Sequence, residues 1–214
     1  MNRSDAETLW EVARVLARDA AKVSGAPTSP VALPPLLFFT DPVRTPRPWE
    51  TAARLPAGAA VVFRHFGRLN ARETALRLRE ITAAGGVRLL IGLDADLAEA
   101  VGADGVHLPE RALDQARALS EAYPQWLITG AAHQGFALDA TGLHARVLSP
   151  VFPAGGPSRT TPPLGLGAFG ALSASASCPV YALGGVYAKN ARSLIGSGAC
   201  GIAGVSAVQA AFGA

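Results

Sequence analysis

Short apolar runs alternate along the chain with longer segments whose apolar residues recur at helical spacing. The runs lack the polar alternation of a strand exposed on one face, which indicates a parallel sheet covered by helices on both faces. The predicted strands are 36–39, 59–63, 87–92, 105–108, 126–130, 145–149, 180–183 and 201–205. These eight runs predict an α/β fold closed into a single (β/α)8 TIM barrel. A Rossmann-type open sheet is the alternative, but no GxGxxG follows the first strand.

An extra helix is predicted over 4–23, ahead of the first strand. Ser4 and Glu7 stand at capping-box spacing at its start. The apolar residues that fall on one face of this helix include Leu9, Val12 and Leu16. A proline-rich stretch then separates it from the first strand. We therefore expect an N-terminal helix and lead-in over 1–34 and the barrel over 35–214.

The helices between the strands are not all predicted with equal clarity from the sequence. The segment 70–84 begins with capping-box spacing at Asn70 and Glu73 and ends at a glycine pair. Helices are also predicted over 110–123 and 189–195, whereas 134–144 is a poor helix. The alternation of strand and helix is thus clearest in the first half of the chain.

Composition and charge narrow the class of partner. The net charge of +3 comes from 17 Arg and 2 Lys, and the arginines are scattered and form no basic run, which argues against nucleic acid. No run approaches the about 20 apolar residues of a membrane span, and the N-terminus has no apolar leader. We expect a cytoplasmic protein without a membrane partner. Cys178 and Cys200 lack the spacing of a zinc or redox site and are interpreted as buried apolar residues.

Two successive strand-and-turn units near the C-terminus have the composition of a phosphate site. Gly184 and Gly185 follow one predicted strand, and Val205 and Ser206 follow the next, where Ser206 opens a terminal helix. Free backbone N–H groups at such turns suit an anion, and phosphate sites after the last two strands recur in (β/α)8 barrels. A glycine pair after a strand also occurs in ordinary turns, but two such turns in neighbouring units favour phosphate.

The motifs at the predicted strand ends resemble a known family. The matching stretches are FFTDP (38–42), AVGADGVHLPE (100–110), GAAH (130–133), SPVFP (149–153), ALGGV (182–186) and GIAGVSAV (201–208). Taken in this order, they are similar to the thiamine phosphate synthase and thiazole tautomerase (TenI) superfamily. The resemblance implies a (β/α)8 barrel that binds thiazole phosphate at the C-terminal ends of its strands, and a homodimer. In the synthases, hydroxymethylpyrimidine pyrophosphate ionises with the help of Mg2+ and the thiazole nitrogen takes the resulting cation.

The sequence departs from the family where the pyrophosphate and metal are expected. The family's second strand usually ends Gln-Leu-Arg-(Glu/Asp)-Lys, whereas this chain reads VFRHF over 62–66 and keeps only Arg64, which the resemblance assigns to catalysis and pyrophosphate binding. The metal-binding Asn-Asp after the third strand is replaced by Gly-Leu, and the Gly-Gln-Glu-Asp after the fourth by Pro-Glu-Arg-Ala. Both expected magnesium carboxylates are therefore missing. Asp94 and Glu110 are weak substitutes.

The loop after the sixth strand also departs from the family pattern. The family's Pro-Val-Phe-Pro-Thr-x-(Ser/Thr)-Lys appears here as PVFPAGGPSRTTPPLG, with one residue inserted. Ser158 and Arg159 can take the (Ser/Thr)-Lys role toward the pyrophosphate, although arginine presents a planar fork where lysine presents a point charge. The alternative is a loop with an incidental arginine. The glycines and prolines of 153–163 would suit either a lid or a static turn.

His133 is the titratable residue best placed for proton transfer. It ends the fifth predicted strand, and histidine titrates near neutral pH. In the tautomerase branch, a histidine at this point of the motif acts as acid and base on the thiazole. The alternative is a structural histidine with a hydrogen bond at the strand end. His107 is interpreted as a packed barrel residue. His65 is interpreted as a surface histidine at the barrel rim, and contact with a substrate is the alternative.

Three functions follow from the residues and the resemblance. The first is a thiamine phosphate synthase with a degenerate pyrophosphate and metal site, for which Mg2+ is the expected cofactor. The second is a metal-free tautomerase that uses His133. The third is a non-catalytic protein that binds thiazole phosphate or thiamine phosphate. The sequence leaves open whether the protein is an enzyme, but all three predict a small phosphorylated heterocycle as ligand.

Overall fold

Eight parallel strands close into a barrel in a computed structural model that describes residues 4–23, 32–133 and 141–213. The strands are β1 (Leu36–Phe39), β2 (Ala60–Phe63), β3 (Arg88–Gly92), β4 (Gly105–Leu108), β5 (Leu127–Ala132), β6 (Ala145–Leu148), β7 (Val180–Leu183) and β8 (Ala199–Gly204). Each strand pairs with the next, and β1 pairs with β8 through the partners Leu37 and Ala203. The predicted (β/α)8 barrel is confirmed, and the open-sheet alternative is wrong.

The strands bury both of their faces in separate layers. Side chains inside the barrel come from alternate strand residues and include Leu37, Phe39, Val62, Leu90, Leu127, Val147, Tyr181 and Ala203. The residues between them face the surrounding helices. Because neither face is exposed, the strands contain no polar alternation, which is why their positions could be predicted from apolar runs.

The helices surround the barrel and differ in regularity. They are α1 (Asp5–Val23), α2 (Pro48–Ala52), α3 (Ala71–Ala84), α4 (Ala95–Ala100), α5 (Ala116–Ala122), α6 (Gly165–Ser175), α7 (Ala188–Ala191) and α8 (Ser206–Phe212). Turns of 3-10 helix cover Glu110–Gln115, Gly156–Thr160 and Arg192–Leu194. No described helix is long and apolar enough to cross a membrane.

Several predicted helices differ from the observed ones. The continuous helix predicted over 110–123 is a 3-10 turn followed by α5, because Ala112 leaves helical geometry at φ −126°. The helix predicted over 189–195 is the single turn α7 followed by a 3-10 turn. Most of the weak helix predicted over 134–144 falls on residues 134–140, outside the described part of the chain.

The N-terminal helix α1 packs against the outside of β8 and against α7. Its start has the predicted capping box, since Ser4 N–H donates to Glu7 Oε2 at 2.9 Å and Glu7 N–H donates to Ser4 Oγ at 3.2 Å. The buried residues of its apolar face are Leu9, Val12, Ala13 and Leu16. With α7 only four residues long, α1 supplies much of the apolar cover over this side of the barrel.

The capping box predicted at the start of α3 is wrong. Asn70 stands at the N-cap, but its backbone has φ −87° and ψ 16°, and its side chain makes no cap hydrogen bond. An N-cap residue normally needs an extended backbone to turn its side chain toward the first free N–H groups. The spacing of Asn70 and Glu73 therefore predicted the start of the helix correctly but not its cap.

Candidate functional site

The C-terminal ends of the strands open into a cavity of about 950 Å3. Every strand or the loop after it contributes to the lining, as in the active sites of (β/α)8 barrels. The charged residues that line it, among those described, are Arg44, Arg64, Arg111, Asp94 and Asp96. The lower end of the barrel is filled by Tyr181, which is fully buried and donates to the carbonyl of Pro34 at 2.7 Å.

The turns after β7 and β8 lie side by side at one end of the cavity, because Leu183 pairs with Ala203. We call this group of four residues, Gly184, Gly185, Val205 and Ser206, the β7–β8 cup. All four line the cavity, so the structure brings together the residues that the sequence predicted as a phosphate site. Val205 precedes α8, whose N-cap has no side-chain hydrogen bond.

The backbone conformation of the β7–β8 cup requires glycine at both positions 184 and 185. Gly184 has φ +94° and Gly185 has φ +67°, which side chains rarely tolerate. A Cβ on Gly184 would also lie 2.7 Å from the Cβ of Pro150. The side chain of Asn190 fixes this turn, since its Nδ2 donates to the Gly185 carbonyl and its Oδ1 accepts from Tyr187 N–H, both at 2.8 Å.

Arg64 enters the cavity from the end of β2. Its Nε donates to the Thr40 carbonyl at 2.8 Å, and its backbone N–H donates to Thr40 Oγ1 at 2.9 Å. The guanidinium lies 5.3 Å from the ring of Phe39 and 5.4 Å from that of Phe66. Its Nη2 is buried, and no described residue accepts a hydrogen bond from it. Burial lowers the pKa of Arg64 to about 10, so the side chain remains charged at neutral pH.

His65 and Asp94 form a hydrogen-bonded pair beside Arg64. His65 Nε2 lies 3.2 Å from Asp94 Oδ2, and His65 Nδ1 accepts a hydrogen bond from Gly67 N–H at 3.1 Å. Asp94 also caps α4, because its Oδ1 accepts from Leu97 N–H at 2.9 Å. We call Phe39, Arg64, His65 and Phe66 together the Arg64 sector; these four residues line the cavity, as does Asp94 beside them.

His133 and Glu110 form a second histidine–carboxylate pair. His133 Nδ1 lies 2.7 Å from Glu110 Oε2, and both side chains are about half exposed, at 53% and 42%. His133 lines the cavity, whereas Glu110 is not among the lining residues. A carboxylate on Nδ1 orients a histidine ring and favours the tautomer whose Nε2 can accept a proton.

Of the two loop residues predicted to face the pyrophosphate, Ser158 lines the cavity and Arg159 is exposed outside the lining. The guanidinium that lines the cavity near this loop belongs to Arg44. A Cβ on Gly156 would lie 2.9 Å from Arg44 Nη1. Arg44 in turn is held by Asp41 at 3.0 Å.

The carboxylate that holds Arg44 is itself strongly bonded. Asp41 Oδ1 accepts from the N–H groups of Val43 and Arg44, and its Oδ2 accepts from the Arg44 guanidinium. Burial alone would raise the pKa of Asp41, but these hydrogen bonds outweigh it and lower the pKa to about 2. Asp41 therefore remains ionised at any pH at which the protein is expected to work.

The acidic side chains at the cavity do not fit a magnesium site. Among residues 4–23, 32–133 and 141–213, no three His, Cys, Asp or Glu side chains are grouped so that they could hold a metal ion. The two weak candidates, Asp94 and Glu110, each contact a histidine instead. Mg2+ prefers a nearly octahedral set of oxygen ligands, which these separate carboxylates do not provide.

His107 lies at the inner wall of the cavity. It is buried, its Nδ1 lies 3.0 Å from Thr129 Oγ1, and its ring meets the edge of Phe39 at 4.8 Å. Burial, reinforced by the charge of Arg64, lowers the pKa of His107 to about 3. The interpretation of His107 as a packed barrel residue is confirmed.

Sequence reasoning missed the roles of Thr40 and Phe39 in holding Arg64, and that of Arg44 at the loop. Thr40 is buried at 2% exposure, and its Oγ1 accepts the backbone N–H of Arg64. The stretch FFTDP, taken only as a family motif, contains Phe39 and Thr40 and was the signal that could have pointed to them.

Comparison with known proteins gives a consistent family. The sequence model of the family described as thiamine monophosphate synthase matches residues 48–208. A thiamine-phosphate synthase of Methanoculleus marisnigri is 36% identical over 164 residues, which cover 73% of this chain and 78% of that protein. One from Chloroflexus aurantiacus is 34% identical over 164 residues, covering 74% and 76%.

A solved structure shares the fold. The thiamine phosphate pyrophosphorylase from Pyrococcus furiosus superposes with a TM-score of 0.67 at 24% identity, and the match covers 83% of this chain and 91% of that one. The extent of the sequence match and the identity to curated relatives carry the assignment, and the barrel agrees with it. The chain belongs to the thiamine monophosphate synthase family.

Proposed function

We propose that the protein is a thiamine phosphate synthase, which joins hydroxymethylpyrimidine pyrophosphate to thiazole phosphate. The relatives that cover about three quarters of the chain are named for this activity. The observation that carries the proposal is that one cavity holds the β7–β8 cup and the Arg64 guanidinium. A joining enzyme needs two anion sites on one cavity, one for each phosphorylated substrate.

The two sites have separate roles in the proposed reaction. The β7–β8 cup binds the phosphate of the thiazole through backbone N–H groups and so fixes the ring nitrogen that attacks. The bond from the pyrimidine methylene carbon to the pyrophosphate oxygen breaks, and a bond from that carbon to the thiazole nitrogen forms. Arg64 stabilises the negative charge that develops on the departing pyrophosphate. Ser158 lies in the same lining and supplies a hydroxyl donor.

The test is detection of thiamine phosphate by mass spectrometry after the protein is mixed with the two substrates. Arg64→Gln should reduce the rate by about a hundredfold, since removing one donor to developing charge costs this order in other enzymes. Arg72→Gln, which changes an exposed arginine of α3, is the matched control and should keep the full rate. The absence of product from folded protein that still binds thiazole phosphate would disprove the synthase activity.

A second candidate function is supported by the pair His133 and Glu110, joined at 2.7 Å at the cavity. Such a pair suits proton transfer at carbon, which is the chemistry of a thiazole tautomerase. In this case the protein would exchange a proton of thiazole phosphate with solvent without any pyrimidine substrate. Deuterium incorporation, followed by NMR, should occur with the unaltered protein and be lost in His133→Ala.

The remaining candidate is a protein that binds thiazole phosphate or thiamine phosphate without turnover. It shares the β7–β8 cup with the two enzymes and is distinguished from them by the outcome of both assays. Calorimetric binding of thiazole phosphate, with neither product nor deuterium exchange, would identify it. The expected homodimer is tested separately by light scattering on the full chain.

A further inference from the structure

Arg64 has no carboxylate partner of its own within the described chain. Asp41 raises the pKa of Arg64 only through its charge, and that carboxylate is bonded to Arg44. The buried Nη2 has no hydrogen-bond acceptor among the described residues. An unpaired buried donor of a charged group is unfavourable, because no hydrogen bond offsets its removal from water. The site therefore favours a ligand that brings an anionic oxygen to this guanidinium.

Asp94, the carboxylate nearest in the chain to the family's metal ligand, already has two partners. His65 Nδ1 accepts from Gly67 N–H, so in the neutral ring Nε2 carries the proton and donates to Asp94 Oδ2. The other carboxylate oxygen accepts from Leu97 N–H at the start of α4. To bind Mg2+, Asp94 would have to weaken its bond to His65 or its cap of α4.

The charges around the Arg64 sector also favour an anion over a divalent cation. Three arginines and two aspartates line the cavity among the described residues, and one of the aspartates is the paired Asp94. The other, Asp96, is exposed. A divalent cation placed beside a buried, unpaired guanidinium would be repelled, whereas an anion would be attracted by each of the arginines.

The backbone holds an aromatic cover over this guanidinium. Phe66 has φ +49° and Leu93 has φ +65°, and both line the cavity. A left-handed backbone is strained for a residue with a side chain, and such strain is typical of functional sites. Here it places the ring of Phe66 5.4 Å from the Arg64 guanidinium. The ring covers one side of the guanidinium, while the Phe66 side chain itself is 67% exposed.

We infer that the Arg64 sector binds the pyrophosphate group of the second substrate directly on the guanidinium, without a divalent cation. The hydrogen bond from His65 to Asp94 keeps the nearby carboxylate from serving as a metal ligand. The inference rests on the proposed function, because it assigns a pyrophosphate to this side of the cavity. It deepens that function by making recognition of the leaving group independent of metal.

The experiment is calorimetric titration of the full chain with inorganic pyrophosphate, once in chelator and once in excess Mg2+. We expect binding in chelator, with an affinity that Mg2+ changes by less than about threefold. Arg64→Gln should weaken it at least about tenfold under both conditions, because a charged hydrogen bond is worth about 1.5–3 kcal/mol. Arg72→Gln should bind as the unaltered protein does, and near-ultraviolet circular dichroism confirms that each variant is folded.

Asp94→Asn separates a metal ligand from a structural carboxylate. Asparagine is a good N-cap residue, so α4 keeps its start. If Asp94 does not hold Mg2+, this variant should change pyrophosphate affinity by less than about threefold, with or without the metal. The inference is overturned if Mg2+ tightens binding by tenfold or more and Asp94→Asn removes that gain, or if the unaltered protein binds no pyrophosphate in chelator.

The titration does not depend on turnover, so its outcome is distinct from that of the joining assay. Product formed only with Mg2+ would leave the proposed synthase standing and overturn the metal-free site. Pyrophosphate binding in chelator without any product would retain the anion site and disprove the synthase activity. Equal rates of product formation in chelator and in Mg2+ would support both the synthase activity and the metal-free pyrophosphate site.

Discussion

The β7–β8 cup and the Arg64 sector line the same cavity but are built from different parts of the chain. The cup is a backbone structure, in which Gly184 and Gly185 adopt positive φ and leave no room for side chains. The Arg64 sector is a side-chain structure, held by hydrogen bonds and ring contacts between β1, β2 and the loop after β3. A backbone site leaves a local glycine pattern in the sequence, whereas a side-chain site depends on pairings between distant residues.

The largest expected effect is at the cup. Gly184→Ala adds a Cβ at φ +94° that would lie 2.7 Å from Pro150, so the turn must move. We expect thiazole phosphate affinity to fall at least about a hundredfold, or about 3 kcal/mol, measured by calorimetry. The control is Gly58→Ala, because Gly58 has φ +87° but no atom within 4 Å of the added Cβ. Equal losses in both variants would show that strain alone, and not the shape of the cup, causes the effect.

The next largest effect is on stability and comes from His107, whose ring meets Phe39 of the Arg64 sector. Burial lowers the pKa of His107 from 6.5 to about 3, so the unfolded chain binds a proton before the folded protein does. Stability is therefore full above pH 6.5 and falls as the pH decreases toward 3. Between pH 6.5 and pH 5 the free energy of unfolding should decrease by about 2 kcal/mol from this group, measured by urea denaturation. His107→Asn should flatten that slope, and an unchanged slope would contradict the assignment.

A smaller effect is expected where Thr40 supports Arg64. Thr40→Val keeps the shape of the side chain but leaves the Arg64 backbone N–H without its acceptor at 2.9 Å. The variant should lose about 1–2 kcal/mol of stability and bind pyrophosphate several-fold less tightly, while thiazole phosphate affinity stays unchanged. Calorimetry with the two ligands checks this contrast. A matching loss for thiazole phosphate would mean that the two regions are not independent.

The smallest effect is expected at the starts of the helices α1 and α3, where we compare the stability that each N-terminal residue contributes. Ser4→Ala removes the capping box of α1, which packs on β8, and should cost about 1 kcal/mol. Asn70→Ala at the start of α3, which follows β2, should change the unfolding free energy by less than about 0.5 kcal/mol, because Asn70 makes no cap hydrogen bond. Urea denaturation of both variants measures the difference, and a reversed order would contradict the described caps.

The strands and the closed barrel could be predicted because buried parallel strands are continuous apolar runs. The helix α6 escaped prediction, since its sequence GLGAFGALSAS is apolar on all sides and rich in glycine. The helices α2 and α4 have only five and six residues, too few to show a periodic pattern. The elements that could be predicted are therefore those whose conformation is determined by their own residues.

The residues that line the cavity could be predicted from the sequence better than the side chains that they contact. The four cup residues and His133 were recognisable from local motifs, and all of them line the cavity. That Glu110 and Asp94 contact histidines could not be predicted, because the partners lie on different loops and their meeting depends on the closed barrel. The sequence predicted that the expected metal carboxylates are missing, whereas the contacts of Asp94 and Glu110 required the structure.

The buried hydroxyl of Tyr181, bonded to the carbonyl of Pro34, has a consequence for the route by which a ligand reaches the cavity. Tyr181 fills the axis of the barrel below the cavity, so a ligand reaches the cavity from the C-terminal ends of the strands. In the proposed synthase, a product bound in this cavity would therefore exclude both substrates. Steady-state kinetics of that reaction should show inhibition by thiamine phosphate.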